Sequence, residues 1–197
     1  MRTISWQRRW AAYLATAALL LLSGLLVQRS HRVSANPVVA PSLETAPIHV
    51  SWAQWYRDTQ SLKQAADIVV VGTFVGNGTT VTSDKEPGIV LTDFPFAVDA
   101  VITDPQRRVQ AGPITVRQTG GIVGTTRYAV EGDPLFQPAE RAVLFLHEYS
   151  PGHYYVIGGP SGRFLVQAGV VLPVAQDGVK FAAPPSEAAF IDAIRNR

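Results

Sequence analysis

The chain has 197 residues, no cysteine and a formal net charge of +2. That length fits one domain with appendages. Without cysteine there is no disulfide framework, thiolate zinc site, cysteine nucleophile, iron–sulfur cluster or lipoprotein anchor. The charge is unevenly placed. Arg2, Arg8, Arg9, Arg29 and Arg32 fall in the first 35 residues, which contain no acid. The remaining 162 residues keep 12 of the 17 basic groups against all 15 acidic ones, a net of −3. A net-acidic body argues against nucleic acid as a partner, because that affinity rests on neutralising phosphates.

Trp10 to Val27 is an uncharged run of 18 residues, WAAYLATAALLLLSGLLV, with arginines on both sides. As a helix it would be roughly 27 Å long, enough for the hydrocarbon core of a bilayer. Residues 1–9 then form a basic cytoplasmic N-terminus. Arg2, Arg8, Arg9 and the terminal amine outweigh Arg29 and Arg32, so the positive-inside rule keeps the N-terminus inside and exports the body. The lipid bilayer is thus an expected partner through residues 10–27. The alternative is a signal peptide cleaved after Ala35, following Val33-Ser34-Ala35, which would release a secreted protein. The long apolar run and the arginines before that point favour a retained, single-pass anchor.

Residues 28–50 read as a tether, with Pro37, Pro41 and Pro47 among small and polar residues. Extended, they could reach on the order of 70 Å. Trp52, Trp55, Tyr56, Thr59, Leu62 and Ala66 recur at helical steps, predicting a short helix over 52–66. Ser61 with Gln64 fits a capping box inside it. From Ile68 the period becomes two. IVVVGTFV, Ile68 to Val75, reads as a buried strand. Residues 76–88 form a long polar loop. Then Phe94, Phe96, Val98, Ala100 and Ile102 alternate with outward residues, and Pro95 marks an edge or a bulge. Ile114 to Gln118 gives a further strand, followed by a looser glycine-containing stretch to Pro138.

Ala142 to Leu146, Tyr154 to Ile157, Phe164 to Gln167, Val170 to Val174 and Val179 to Phe181 read as later strands. Ser150-Pro151-Gly152 and Gly158 to Gly162 are turns between them. Gln176-Asp177-Gly178 is a hairpin signal. Ser186 to Arg195 closes the chain as a short helix behind Pro184-Pro185. Residues 51–197 therefore read as one extracytoplasmic all-β domain with two short flanking helices, at 52–66 and 186–195. Short strands with frequent turns point to a small antiparallel barrel.

The order of these segments carries a resemblance. It rests on Ser61-Leu62-Lys63-Gln64-Ala65-Ala66-Asp67-Ile68-Val69-Val70-Val71-Gly72, a long strand ending near Ile102, and Ile114-Thr115-Val116-Arg117-Gln118-Thr119-Gly120-Gly121. Ala142 to Leu146 and Tyr154 to Phe164 complete it. The pattern resembles exported bacterial domains of unassigned function. Their layout is similar to the oligosaccharide/oligonucleotide-binding (OB) barrel of netrin-like modules and tissue inhibitors of metalloproteinases. Over about residues 61–181 the resemblance implies an OB-like barrel. Those inhibitors place an N-terminal cysteine on the target zinc, and this chain has none.

Signals for catalysis are weak. His147-Glu148-Tyr149-Ser150-Pro151-Gly152-His153 spaces its histidines six apart, and Pro151-Gly152 forbids the helix a zincin motif needs. Gly159-Pro160-Ser161-Gly162 is not a nucleophile elbow. Gly120-Gly121-Ile122-Val123-Gly124 lacks the lysine of a phosphate loop. Asp93 and Asp99 share a strand face but lie roughly 20 Å apart, beyond glycosidase spacing. No catalytic residue, metal ligand or cofactor-binding residue is assigned, and no cofactor is implied. Arg117, Arg127 and Arg163 lie beside glycine-rich turns and are the candidate ligand-binding residues, because arginine recognises carboxylate and phosphate through paired hydrogen bonds. The expectation is a membrane-anchored binding or interaction module. An extracellular protein or an anionic wall polymer is its expected partner, with specificity carried by loops 76–88 and 119–138. A protease-inhibitor-like protein is the first alternative. A hydrolase with a small metal site at His147 and His153 is the second.

Overall fold

The computed structural model describes residues 43–49, 54–82, 88–109 and 112–196. The hydrophobic segment 10–27 and most of the tether lie outside these residues. Among the described residues no helix is long and apolar enough to cross a membrane. In chain order the elements are β1 (Glu44–Ile48), α1 (Thr59–Ala65), β2 (Ile68–Phe74), β3 (Thr79–Thr82), β4 (Val90–Thr103), β5 (Ile114–Val123) and β6 (Thr126–Val130). They continue with β7 (Arg141–Ser150), β8 (His153–Val156), a 3₁₀ turn (Gly159–Gly162), β9 (Arg163–Gln167), β10 (Val170–Pro173) and α2 (Glu187–Arg195). The domain is mostly β, with two short helices.

β2 organises the rest. Its β-branched run is buried on both faces. Ile68, Val70 and Phe74 enter one core with Phe94, Phe96, Ile114, Val116, Leu144, Leu146 and Tyr154. Val69 and Val71 enter a second with Leu62, Phe145, Phe164, Val171, Phe190 and Ile194. The second core is where both helices and the β9–β10 hairpin cover the sheet. β2 pairs antiparallel with β4 on one side and β7 on the other. β4 continues to β5 and β7 to β8, both antiparallel. β8 meets β5 in parallel over Thr115–His153, Val116–Tyr154 and Arg117–Tyr155. The ladders thus follow one another as β2–β4–β5–β8–β7–β2.

β4 shows the expected alternation, with Phe94, Phe96 and Ile102 buried. Elsewhere the sequence reading and the structure differ. α1 starts at Thr59, not at 52. Asp58 caps it by accepting the Ser61 N–H at 2.8 Å, and the Ser61 hydroxyl also donates to Asp58. Ser61 is therefore consumed in its neighbour's cap and does not start a helix of its own. Within the stretch read as tether, residues 44–48 form β1, which pairs in parallel with β6. The polar loop 76–88 contains β3, paired with β4. The loose stretch after Gln118 forms the β5–β6 hairpin. Gly120 permits this, with φ of 109° and room for no Cβ, which would stand 2.6 Å from the Tyr128 carbonyl oxygen.

Near the C-terminus the Asp177-Gly178 hairpin and the strand Val179–Phe181 are not formed. The hairpin sits instead at Ala168-Gly169, whose φ values of 49° and 78° give the two left-handed positions that such a turn needs. Val179 and Phe181 still bury apolar surface in the second core. α2 begins as expected. Ser186 caps it by accepting the Ala189 N–H, and Glu187 occupies the first turn.

Candidate functional site

One concavity among the described residues is a groove of about 450 Å³, within the range of small-ligand sites. Its walls come from both loops singled out in the sequence. Asn77, Gly78 and Thr80 belong to the first, and Gly121, Ile122, Arg127 and Leu135 to Pro138 belong to the second. Thr92 and Phe94 of β4 form the floor between them. Two glycines let these segments close in. A Cβ on Gly78 would meet Thr92 and Phe94 side chains at 2.7 Å, and one on Gly121 would stand 2.4 Å from Thr92 Oγ1. Thr92 Oγ1 donates to the Gly120 carbonyl at 2.8 Å, and Thr80 Oγ1 to the Ile122 carbonyl at 3.2 Å. These bonds hold β5, at the start of the β5–β6 hairpin, against β4 and β3.

The outer wall, residues 133–138, has no regular structure, so its backbone groups need partners from elsewhere. Two buried polar side chains supply them. Gln118, 5% exposed, donates to the Pro134 carbonyl at 3.1 Å and accepts the Phe136 N–H at 3.0 Å. Arg163, 2% exposed, donates to the Pro134 carbonyl at 2.5 Å and binds the Glu140 carboxylate through Nε and Nη2. Its guanidinium lies 4.5 Å from the Phe136 ring centre, and Phe136 stacks on Phe74 at 4.2 Å. Asp133 stands 3.6 Å from Arg163. Burial pushes the Asp133 carboxyl above its ordinary value, against the opposing pull of Gln118 and Arg163. The wall is thus fixed from behind, which reduces the ordering cost of binding.

The three candidate arginines occupy three settings. Arg127, half-buried on β6, faces the groove, and no carboxylate among the described residues pairs with it. Arg163 lies behind the groove's Phe136 wall, its charge already matched by Glu140. Arg117 is on β5 and makes a two-pronged pair with Asp93 at 2.6 and 2.7 Å. That pair raises the Arg117 pKa, the Asp93 hydrogen bonds being the main cause. Of the three, only Arg127 lines the groove with no carboxylate partner among the described residues.

The histidines lie elsewhere. His147 Nδ1 is 2.8 Å from Asp67, which also meets Arg108 at 3.3 Å and accepts the Glu148 N–H at 2.9 Å. Arg108 pairs with Glu148 at 2.8 Å. His153 Nδ1 is 3.0 Å from the Pro151 carbonyl oxygen. Among the described residues no group of three or more His, Asp or Glu side chains is placed to hold a metal ion. Ser161, in the 3₁₀ turn, is buried, and its hydroxyl has no hydrogen-bond partner among the described residues.

The sequence reading missed Gln118, Glu140 and Phe136 as the supports of the groove, and Asp67 and Arg108 as the partners of His147 and Glu148. A buried Gln in an alternating strand was the one local signal for the first group. The second pairs across 40 to 81 residues of chain. No family model, curated protein or solved structure matches this chain.

Proposed function

We propose that this chain is a membrane-anchored, extracytoplasmic binding module. In this reading residues 10–27 hold it in the bilayer, and an OB-like barrel presents the groove around Arg127 to an acidic group on its ligand. The ligand class is a peptide carboxyl terminus or an anionic wall polymer with an apolar portion beside the charge. The observation that carries the reading is the pairing of a pre-ordered groove, floored by Phe94 and walled by Phe136, with an arginine whose charge no described carboxylate takes up. The circuit of five ladders, with its short parallel β5–β8 contact, supports the OB-like barrel.

The test is calorimetric titration of the full chain in nanodiscs with free-acid peptides, their carboxy-amidated counterparts and polyglycerol phosphate. Binding of an acidic probe that falls at least tenfold in Arg127→Ala is expected, since a charge-assisted hydrogen bond contributes about 1.5–3 kcal/mol. Binding that is indifferent to Arg127, or absent for every acidic probe, overturns it. Intact-mass measurement on membrane and soluble fractions tests the anchor. A membrane-bound chain that retains residues 1–35 is expected, and a soluble chain beginning at Asn36 overturns it.

A further inference from the structure

A second surface, separate from the groove, lies on the outside of β8 and its neighbours. Strand register sets Asp93, Arg117, Tyr155 and His147 side by side across β4, β5, β8 and β7. The irregularity between Glu148 and Ser150 adds Tyr149 to this row. Tyr149 and Tyr155 are 39% and 42% exposed. Their rings are 24° from parallel with centres 6.3 Å apart. Leaving two large rings in water forgoes the stabilisation of burying them.

Their surroundings hold them in place. The Arg117 guanidinium lies 5.0 Å from the Tyr149 ring centre and is itself fixed by both Asp93 oxygens. His147 packs 5.0 Å from Tyr155 and is fixed by Asp67. Arg117, the guanidinium in the row, therefore already has a carboxylate partner. The surface offers flat aromatic faces and a polar rim but no uncompensated charge. Beside it, His147 and Tyr155 continue into a cavity of about 500 Å³ that also holds Tyr56 and Gln54. Tyr56 packs against Gly158, where an added Cβ would stand 2.9 Å from the Tyr56 ring.

We propose that this row and the adjoining cavity bind a neutral oligosaccharide. A pyranose ring has an apolar face of C–H groups, which the negative face of a tyrosine ring attracts. Its edge carries hydroxyls, which suit His147, Gln54 and the phenol groups. The paired charges disfavour a polyanion, whose binding needs free cations. A partly parallel pair of rings followed by a cavity matches a linked run of sugars.

The test is calorimetric titration of the full chain in nanodiscs with tetra-N-acetylchitotetraose and cellotetraose. Saturable binding to at least one is expected. Tyr149→Ala and Tyr155→Ala should each weaken it roughly three- to tenfold, and Arg127→Ala should leave it unchanged. Both tyrosines are exposed, so the variants should fold, and circular dichroism checks this. Absence of binding to both sugars overturns the proposal. So does binding that survives the double tyrosine variant, or that depends on Arg127. Partition of the row into empty lipid vesicles, lost in the same tyrosine variants and without sugar binding, also overturns it. The groove is judged by acidic probes and Arg127, so either site can fail alone.

Discussion

The Arg163 guanidinium and the Glu140 carboxylate meet through three hydrogen bonds of 2.6 to 3.1 Å beneath the wall of the groove. The arginine is removed from water there, and its Nη1 donates to the Pro134 carbonyl. Replacing Arg163 with Met strands Glu140 and Asp133 without their cation. A loss of about 3–5 kcal/mol in urea denaturation is expected. Adding Glu140→Gln to that variant should recover part of the loss, because it removes one of the stranded charges. A double-mutant cycle measures this directly.

Arg127 provides the contrast. It is half-buried, with no ion-pair partner among the described residues. Arg127→Ala should change unfolding free energy by less than about 0.5 kcal/mol. Thermal and urea unfolding of the two arginine variants side by side would separate the arginine that builds the wall from the one that faces the groove.

Gly72 lies in β2 where its register against β4 shifts. A Cβ there would stand 2.0 Å from the Ala97 carbonyl oxygen and 2.8 Å from the Phe96 ring. The first obstacle is backbone, so no rotamer change relieves it. Gly72→Ala should destabilise by about 2–4 kcal/mol, read from the urea midpoint at constant slope.

Ser161 should respond in the opposite direction. Its buried hydroxyl lacks a partner among the described residues, so the folded state bears its desolvation cost. Ser161→Ala should hold or raise stability, by up to about 1 kcal/mol.

Tyr154 gives an alkaline signature. Burial, then the Glu148 charge, pushes its phenol up from 10.0 to about 12. The folded chain therefore holds this proton more tightly than the unfolded chain. Stability from this group is complete below pH 10 and declines as pH rises through about 12. Tyr154→Phe should flatten the stability profile between those limits. Difference absorbance of phenolate should show one tyrosine fewer titrating late.

The β-rich class, β2, β4 and the C-terminal helix were legible because each is written locally. β-branched residues cluster at 68–71, apolar residues alternate at 94–102, and Ser186 stands before an apolar stripe. β1, β3 and β6 were not legible. Their segments are short and polar, or contain proline, and they become strands only because β6, β4 and β5 respectively offer edges to β1, β3 and β6. The Asp177-Gly178 signal failed for a similar reason. The chain needed its reversal nine residues earlier, where β10 could pair with β9, and Val179 was better used in the second core.

By itself the sequence determined that residues 10–27 are an uncharged apolar run flanked by arginines, that the body is net acidic, and that its main strands are buried. These follow from composition and period, which act over a few residues. Only the tertiary structure decided what the polar residues do. Arg117, Arg127 and Arg163 look alike in the chain, yet one is paired on the outer face, one faces a groove and one is buried behind it. The partner of a charge is chosen by strand pairing and register across tens of residues. No local pattern encodes that choice, because the desolvation and pairing energies arise only once the strands are side by side.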